Sequence, residues 1–252
     1  KDGKLNLSKK YNLDNLSLLF KIKKKEYFLK DIKTNFNKIR LLLPFIQIKE
    51  ERDNFSINGK LTNYINNKNF ELIKNNFGDI FNFSNLEKIE FNSISNFNFT
   101  LNKKLKIKNF HLKSIVDLSD FVYRNNLLHI KKYLPYFRDV IRLHDHKITI
   151  NYKNNKLDIK GKGEVSVEDK IDSLIYELSQ DNNNYDFKTT IELINNSLSL
   201  DFLNYKKDAN LYSTLNVDGS YKKNKKVIFN SIFIIDKNDN NLRAENLILN
   251  NE

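Results

Sequence analysis

Alternation of apolar and polar residues with a period of two recurs through most of this chain, and it restricts the fold more than any other feature. Phe97, Phe99 and Leu101 alternate with Asn98 and Thr100. Ile148, Ile150 and Tyr152 alternate with Thr149 and Asn151, and Leu157 and Ile159 with Asp158 and Lys160. Further runs are Tyr185-Phe187-Thr189-Ile191, Leu198-Leu200-Phe202, Leu211-Ser213-Leu215-Val217 and Val227-Phe229-Ser231-Phe233. Successive side chains on a strand point to opposite faces, so each run gathers its apolar groups on one face. Antiparallel sheets with one buried face give this pattern, whereas buried parallel strands are apolar throughout.

The breaks between runs are turn-like: Asn154-Asn155, Asp181 to Asn184, Asn195-Asn196 and Asp236 to Asn241. Asn and Asp tolerate left-handed turn conformations and bond their own backbone. A spacing of roughly 10 to 14 residues per strand plus turn fits an all-β meander. No alternation with long helices argues for a doubly wound α/β fold. Two segments read as helical. Phe70, Ile73 and Phe77 recur at helical spacing in Asn67 to Phe77, with Gly78 as the stop. Leu127 to Leu143 has the same period through Leu134, Phe137 and Ile141, and Pro135 divides it into two short helices. Leu43-Pro44-Phe45-Ile46 is echoed by Leu134-Pro135-Tyr136-Phe137, which suggests one continuous β-rich segment, 1–252, with structurally similar halves at 36–126 and 127–252.

The chain has 252 residues and no Met, so it reads as a piece of a longer protein. It has no Cys, which excludes disulfides and thiolate metal sites. Its net charge is +12, yet only Arg40, Arg52, Arg124, Arg138, Arg142 and Arg243 among its 43 basic residues are Arg. Arg is the residue suited to bidentate phosphate and base recognition, so its scarcity argues against a nucleic-acid partner. The Lys, Asn, Ile and Phe excess is what AT-rich codons encode, and part of the charge reflects that bias. No apolar stretch approaches the roughly 18 residues of a membrane span, and no signal peptide is visible.

The candidate chemistry is sparse. His144-Asp145-His146 is the one cluster with metal-ligand character, since two His at i and i+2 on a strand face one side. It lacks an identifiable third ligand, and no metal is assigned. His111 and His129 stand alone. Gly161-Lys162-Gly163 is too short for a phosphate loop and reads as a strand-end turn or bulge. Glu164, Glu168 and Asp169 lie among Lys residues, as on a solvated face. Asn98-Phe99-Thr100 is the kind of glycosylation match an Asn-rich chain contains by chance. No catalytic set can be assembled, so the expectation is a non-enzyme without cofactor. Lys21 to Lys25, Lys103 to Lys108 and Lys222 to Lys226 could meet anionic headgroups or phosphates. Solvated hairpin ends and edge strands, where Lys discourages aggregation, are the simpler reading.

Amphipathic strands must cover their apolar face. The sheet can close on a core, as a structural or adhesin-like solenoid or sandwich, or it can form an open groove that holds something else. The pattern Tyr133-Leu134-Pro135-Tyr136, then Ile148-Thr149-Ile150, then Leu157-Asp158-Ile159-Lys160-Gly161 resembles the AsmA-like family of bacterial envelope proteins. Phe55-Ser56-Ile57-Asn58-Gly59-Lys60-Leu61, Leu215-Asn216-Val217-Asp218-Gly219 and Leu242 to Leu249 look like the same recurring unit. The resemblance implies a long, curved antiparallel meander forming an open, taco-like groove. It implies a periplasmic protein anchored in the inner membrane, taking part in outer-membrane biogenesis. Phospholipid would move between the inner and outer membranes, which regions outside this segment would contact. The groove face is then expected to carry Phe97, Phe99, Leu101, Ile148, Ile150, Leu157, Ile159, Phe187, Ile191, Leu200, Phe202, Leu215, Val217 and Phe229, with acyl chains as partners and no nucleic acid.

Overall fold

The computed structural model describes residues 3–6, 12–77, 83–124, 139–166, 170–200, 204–222, 226–236 and 241–250. The first strands are β1 (Gly3–Asn6), β2 (Asn12–Lys23), β3 (Glu26–Phe36), β4 (Ile39–Glu50) and β5 (Asn54–Ile65). Helix α1 (Asn67–Phe77) follows, then β6 (Leu86–Asn102), β7 (Ile107–Arg124), β8 (Val140–Lys153) and β9 (Lys156–Ser166). The chain continues through β10 (Ile171–Asp181), β11 (Asn184–Leu193), β12 (Leu198–Leu200), β13 (Tyr205–Lys207), β14 (Ser213–Lys222), β15 (Lys226–Asp236) and β16 (Asn241–Asn250). Hydrogen-bonding order follows chain order from β1 to β11 and on to β14, β15 and β16. The fold is therefore mainly β, an antiparallel meander. Among the described residues β1 and β16 do not pair, so the sheet is not closed. Strands β12 and β13 stand apart as a two-stranded sheet.

Helix α1 occupies the segment expected from its spacing. Asn66 caps it, its Oδ1 accepting from Asn69 N at 3.0 Å. Gly78 and residues 127–138 of the second expected helix lie outside the described residues. Where that second segment is described, the expectation fails: Ile141 and Leu143 belong to β8. A short apolar run such as Val140-Ile141-Arg142-Leu143 fits either period, and pairing decides it. The strands β2, β3 and β4 carry no clean alternation. Their registers are interrupted, as between Asp14 and Leu19 and between Leu42 and Phe45. Pro44 falls where the pairings to both β3 and β5 skip it, so its missing N–H costs no ladder bond.

Glycine and asparagine exchange their usual duties here. Among the described residues no Gly has positive φ, while fifteen other residues do, nine of them Asn and three Asp. Asn and Asp are the cheapest non-glycine residues in that region, so they form the turns at Asn154-Asn155 and Asn182 and the kinks at Asn15, Asp31, Asn109, Asp145 and Asn246. The glycines serve close packing instead. Gly59 lies beneath the Phe97 ring and Gly219 beneath that of Phe187, where a Cβ would collide with each ring.

The chain gathers into two compact units, interleaved because β6, β7 and β8 each contribute to both. Unit 1 comprises 1–83, 89–117 and 149–154; unit 2 comprises 84–88, 118–148 and 155–252. In unit 1, Ile32, Ile39, Ile65, Phe70 and Val116 are buried. Helix α1 lies against β4 and β5. In unit 2, Leu193, Leu198 and Ile234 form a core, with Ile191, Leu200, Tyr205, Leu215 and Leu242 packed around it.

Candidate functional site: an apolar sheet face in each unit

Register defines the faces, because directly paired residues point to the same side. In unit 1, Phe55 pairs with Leu101, Ile57 with Phe99 and Gly59 with Phe97. Ile57 also pairs with Ile48, and Gly59 with Ile46. Those two pair in turn with Tyr27 and Leu29, which pair with Ile22 and Phe20. One face of β2 to β6 therefore carries an unbroken apolar row across the strands. Ring contacts extend it: Phe20 to Tyr27 (6.4 Å), Phe97 to Phe99 (6.1 Å), Phe99 to Phe110 (6.2 Å) and Phe110 to Tyr152 (5.9 Å). Ile150, two residues from Tyr152, shares that face. The row lies at the strand ends nearest the β2–β3, β4–β5 and β6–β7 turns. Phe97, Phe99, Leu101 and Ile150 are half-buried, while Phe20 and Ile22 are 56% and 57% exposed. Further along the strands the face narrows to small polar groups, with Ser95 and Ser114 hydroxyls 2.8 Å apart, and beyond them Ile65 and Val116 on the same face are buried.

Unit 2 carries an equivalent face. Ile159 pairs with Leu178, Leu178 with Phe187, Phe187 with Gly219 and Gly219 with Phe229, which pairs with Leu247. A second row runs Leu174, Ile191, Leu215, Ile234, Leu242, and Val217 lies between the rows opposite Thr189 and Ile232. Leu157 sits two residues from Ile159. Ile148 lies two residues from His146, whose ring packs on Gly163 and Tyr176 of this face. Leu157, Ile159, Phe187, Ile191, Leu215, Val217, Phe229 and Ile148 thus share one side, all half-buried. The run Val227-Phe229-Ser231-Phe233 does not stay on it. The register shifts where Asp218 and Gly219 meet β15, so Ser231 and Phe233 turn to the opposite face, and Ile232 and Ile234 replace them.

Leu200 stands elsewhere than on a meander strand. It belongs to β12, which with β13 folds over the end of the unit 2 face and seals the core of Leu193, Leu198 and Ile234. Phe202 lies outside the described residues. A buried polar clamp holds this cover. The Asp172 carboxylate, 4% exposed, accepts from the backbone N–H of Ile194 and Asn195 at 2.9 Å each and of Asn196 at 3.3 Å. It also accepts from Asn196 Nδ2 at 2.6 Å. The buried Lys207 ammonium donates to the Asn196, Asp208 and Ile194 carbonyls at 2.6, 3.2 and 3.4 Å.

The opposite face of unit 2 is ion-paired, with Lys160–Glu177 at 2.8 Å and Lys188–Asp218 at 3.4 Å. A depression of about 330 Å³ on that side is lined chiefly by such groups, which already satisfy one another. His144 and His146 do not converge. His144 Nδ1 is 3.7 Å from Asp120 Oδ1, whereas His146 is buried and its Nε2–H donates to the Glu164 carbonyl at 2.8 Å. Burial holds the His146 imidazole below its ordinary pKa and raises the Tyr176 phenol above its own. Among the described residues no group of three His, Asp or Glu side chains could hold a metal ion.

The alternation did not bring forward Phe20, Ile22, Tyr27, Leu29, Ile46, Ile48, Phe110 and Leu178. Phe20-Lys21-Ile22 and Ile46-Gln47-Ile48 contain the signal, too briefly to stand out from the Lys run and the Pro beside them. Compared with protein-family models, curated proteins and solved structures, the chain matches none of them.

Proposed function

We propose that this chain is an acyl-chain-carrying segment of a lipid-transfer protein and that it has no catalytic role. The observation that carries this reading is the row Phe20–Tyr27–Ile48–Ile57–Phe99–Phe110–Tyr152. It crosses unit 1 without a break. A continuous apolar strip on a sheet, exposed at Phe20 and half-buried beyond it, suits a surface that meets an apolar partner. Acyl chains suit it, since they need an apolar wall of linear extent and few polar contacts, while headgroups stay in water at the strand ends. Twelve of the fourteen expected residues, all but Leu200 and Phe202, lie half-buried on these sheet faces, which supports the same reading. The resemblance to AsmA-like envelope proteins adds the setting: a periplasmic portion of an inner-membrane-anchored protein that carries phospholipid towards the outer membrane.

A closed-core structural role is the second reading, and the sealing of Leu193, Leu198 and Ile234 by β12–β13 favours it for that end of unit 2. Photocrosslinking separates the two. Probes at Phe99, Ile57 and Phe229 should capture phospholipid in cells, and probes at Asn98, Lys160 and Lys188 on the opposite faces should not. Equal capture, or none, at both sets refutes lipid carriage.

A further inference from the structure

The turns that border the unit 1 row have a composition that the row does not require. The β6–β7 turn reads Lys103-Lys104-Leu105-Lys106-Ile107-Lys108, with Leu105 72% and Ile107 61% exposed. The β2–β3 turn is built alike. Lys21, Lys23, Lys24 and Lys25 surround it, and Leu19, Phe20 and Ile22 beside them are 63%, 56% and 57% exposed. Both turns lie at the same end of the meander, because successive hairpins alternate ends. Four strand spacings separate them, about 19 Å.

Leu105 is the sharper signal. It sits in the left-handed region at φ 58°, where a bulky side chain is an outlier and Asn or Gly would be at ease. The chain uses Asn at nine other such positions, so an exposed Leu here is poorly chosen for folding alone. The turn holds it outward: Asn102 Oδ1 accepts from Lys104 N at 3.0 Å and Lys106 N at 2.9 Å, and Leu105 N donates to Asn102 O at 2.8 Å. Among the described residues Lys104, Lys106, Lys24 and Lys25 make no ion pair, while Lys103 pairs with Asp53 at 3.1 Å. The intervening β4–β5 turn opposes the pattern, with Glu50, Glu51 and Asp53 against Lys49 and Arg52.

We propose that this edge of unit 1 docks on an anionic lipid bilayer surface, with Leu105 and Ile107 entering the interface and the flanking lysines contacting headgroups. Short apolar tips ringed by Lys suit that boundary, where the apolar side chains leave water and the cations remain at the charged plane. No helix among the described residues is long and apolar enough to cross a membrane, and docking of this kind needs none. The inference does not depend on lipid carriage by the apolar row.

Flotation of the 252-residue chain with phosphatidylcholine vesicles, with and without phosphatidylglycerol, tests it. Binding should require the anionic lipid and weaken as salt rises. Leu105→Asn removes the apolar tip and relieves its backbone at once, so this variant should fold at least as well and bind several-fold more weakly. Lys104→Glu with Lys106→Glu should lower binding roughly tenfold or more, given the contribution of each cation near such a surface. Neutralising Glu50, Glu51 and Asp53 should strengthen it. Equal binding to neutral vesicles, or unaltered binding by Leu105→Asn, overturns the proposal. So does a duplex oligonucleotide that binds as well as vesicles and ignores Leu105→Asn, since that would mark a general polyanion surface. Capture by probes at Phe99 is unaffected by Leu105→Asn if both readings hold, so either can fail alone.

Discussion

Replacing Asp172 by Ala tests how the end of the unit 2 face is covered. Asp172 is 4% exposed and receives four hydrogen bonds, three from consecutive backbone N–H groups and one from the Asn196 side chain. A hydrogen bond to a charged group contributes about 1.5–3 kcal/mol net, and an orphaned buried donor costs about 1–3 kcal/mol. The four are not additive, because the freed loop relaxes towards water and the Asp172 charge leaves with them. The expected loss is about 3–5 kcal/mol, the range for breaking a buried charged cluster from one side. With a urea m-value of about 2 kcal/mol/M, the unit 2 transition should move down by about 2 M. The chain has no Trp, so far-UV circular dichroism gives the transition and hydrogen exchange localises it. Amides of 194–196 should lose protection first, followed by those of β12 and β13. Lys207→Met should act on the same segment, and the double variant should cost less than the sum of the two. A loss below about 1 kcal/mol with unchanged exchange at 194–196 would refute the clamp.

Three further outcomes follow from the packing. His146 should make stability pH-dependent. Its folded pKa lies below the ordinary 6.5, and its Nδ1 is buried without a hydrogen-bond partner among the described residues. The unfolded chain therefore takes up the proton first, so this contribution is whole above about pH 6.5 and is lost as pH falls below it. His146→Gln should flatten that part of the stability–pH curve measured by urea melts. Gly219→Val should destabilise by about 1–3 kcal/mol, since a Cβ there would lie 2.6 Å from both the Ile228 carbonyl and Phe187 Cζ. Thermal denaturation reads this, and Phe187→Ala should partly rescue it. Ile234→Ala, at a side chain with no exposed surface in the unit 2 core, should cost about 2–5 kcal/mol by the same melts.

Period two made β5, β6, β8, β9, β11 and β14 legible, because those strands alternate without interruption through most of their length. It was silent on β2, β3 and β4 for a geometric reason. In β2 and β3 a residue with positive φ, Asn15 or Asp31, advances the chain by one and reverses which parity faces the apolar side, and in β4 the register breaks at Leu43-Pro44. β15 shows the same effect at its irregularity, where a run that looks continuous in sequence divides between two faces. Several kinks inside strands fall on Asn or Asp, which also form described turns such as Asn154-Asn155, so composition did not distinguish a kink inside a strand from a turn between strands. The helical period at Leu127 to Leu143 misled at its described end because Val140 to Leu143 is too short and too uniformly apolar to carry a period.

The candidate face was legible in membership but not in cover. Alternation says that Phe187 and Ile191 point the same way, since that depends on one strand alone. Whether anything lies over them depends on residues far along the chain, and local pattern is blind to this. Leu198 and Leu200 have the alternation of a meander strand, yet the segment around them is short and is tethered by Asp172 and Lys207, so it folds back as a lid. Asp172 gave no hint of that role, because a lone carboxylate in a strand reads as a solvent-facing residue until its register puts it on the apolar side. The same limit applied to the charged turns. A Lys run is ordinary at a hairpin end, and only the left-handed backbone and 72% exposure of Leu105 separate a docking tip from a solubilising one. Leu105→Asn is the substitution that turns the distinction into a measurement. A tip that serves folding alone should gain stability from it and lose nothing else, whereas a docking tip should gain stability and release the bilayer.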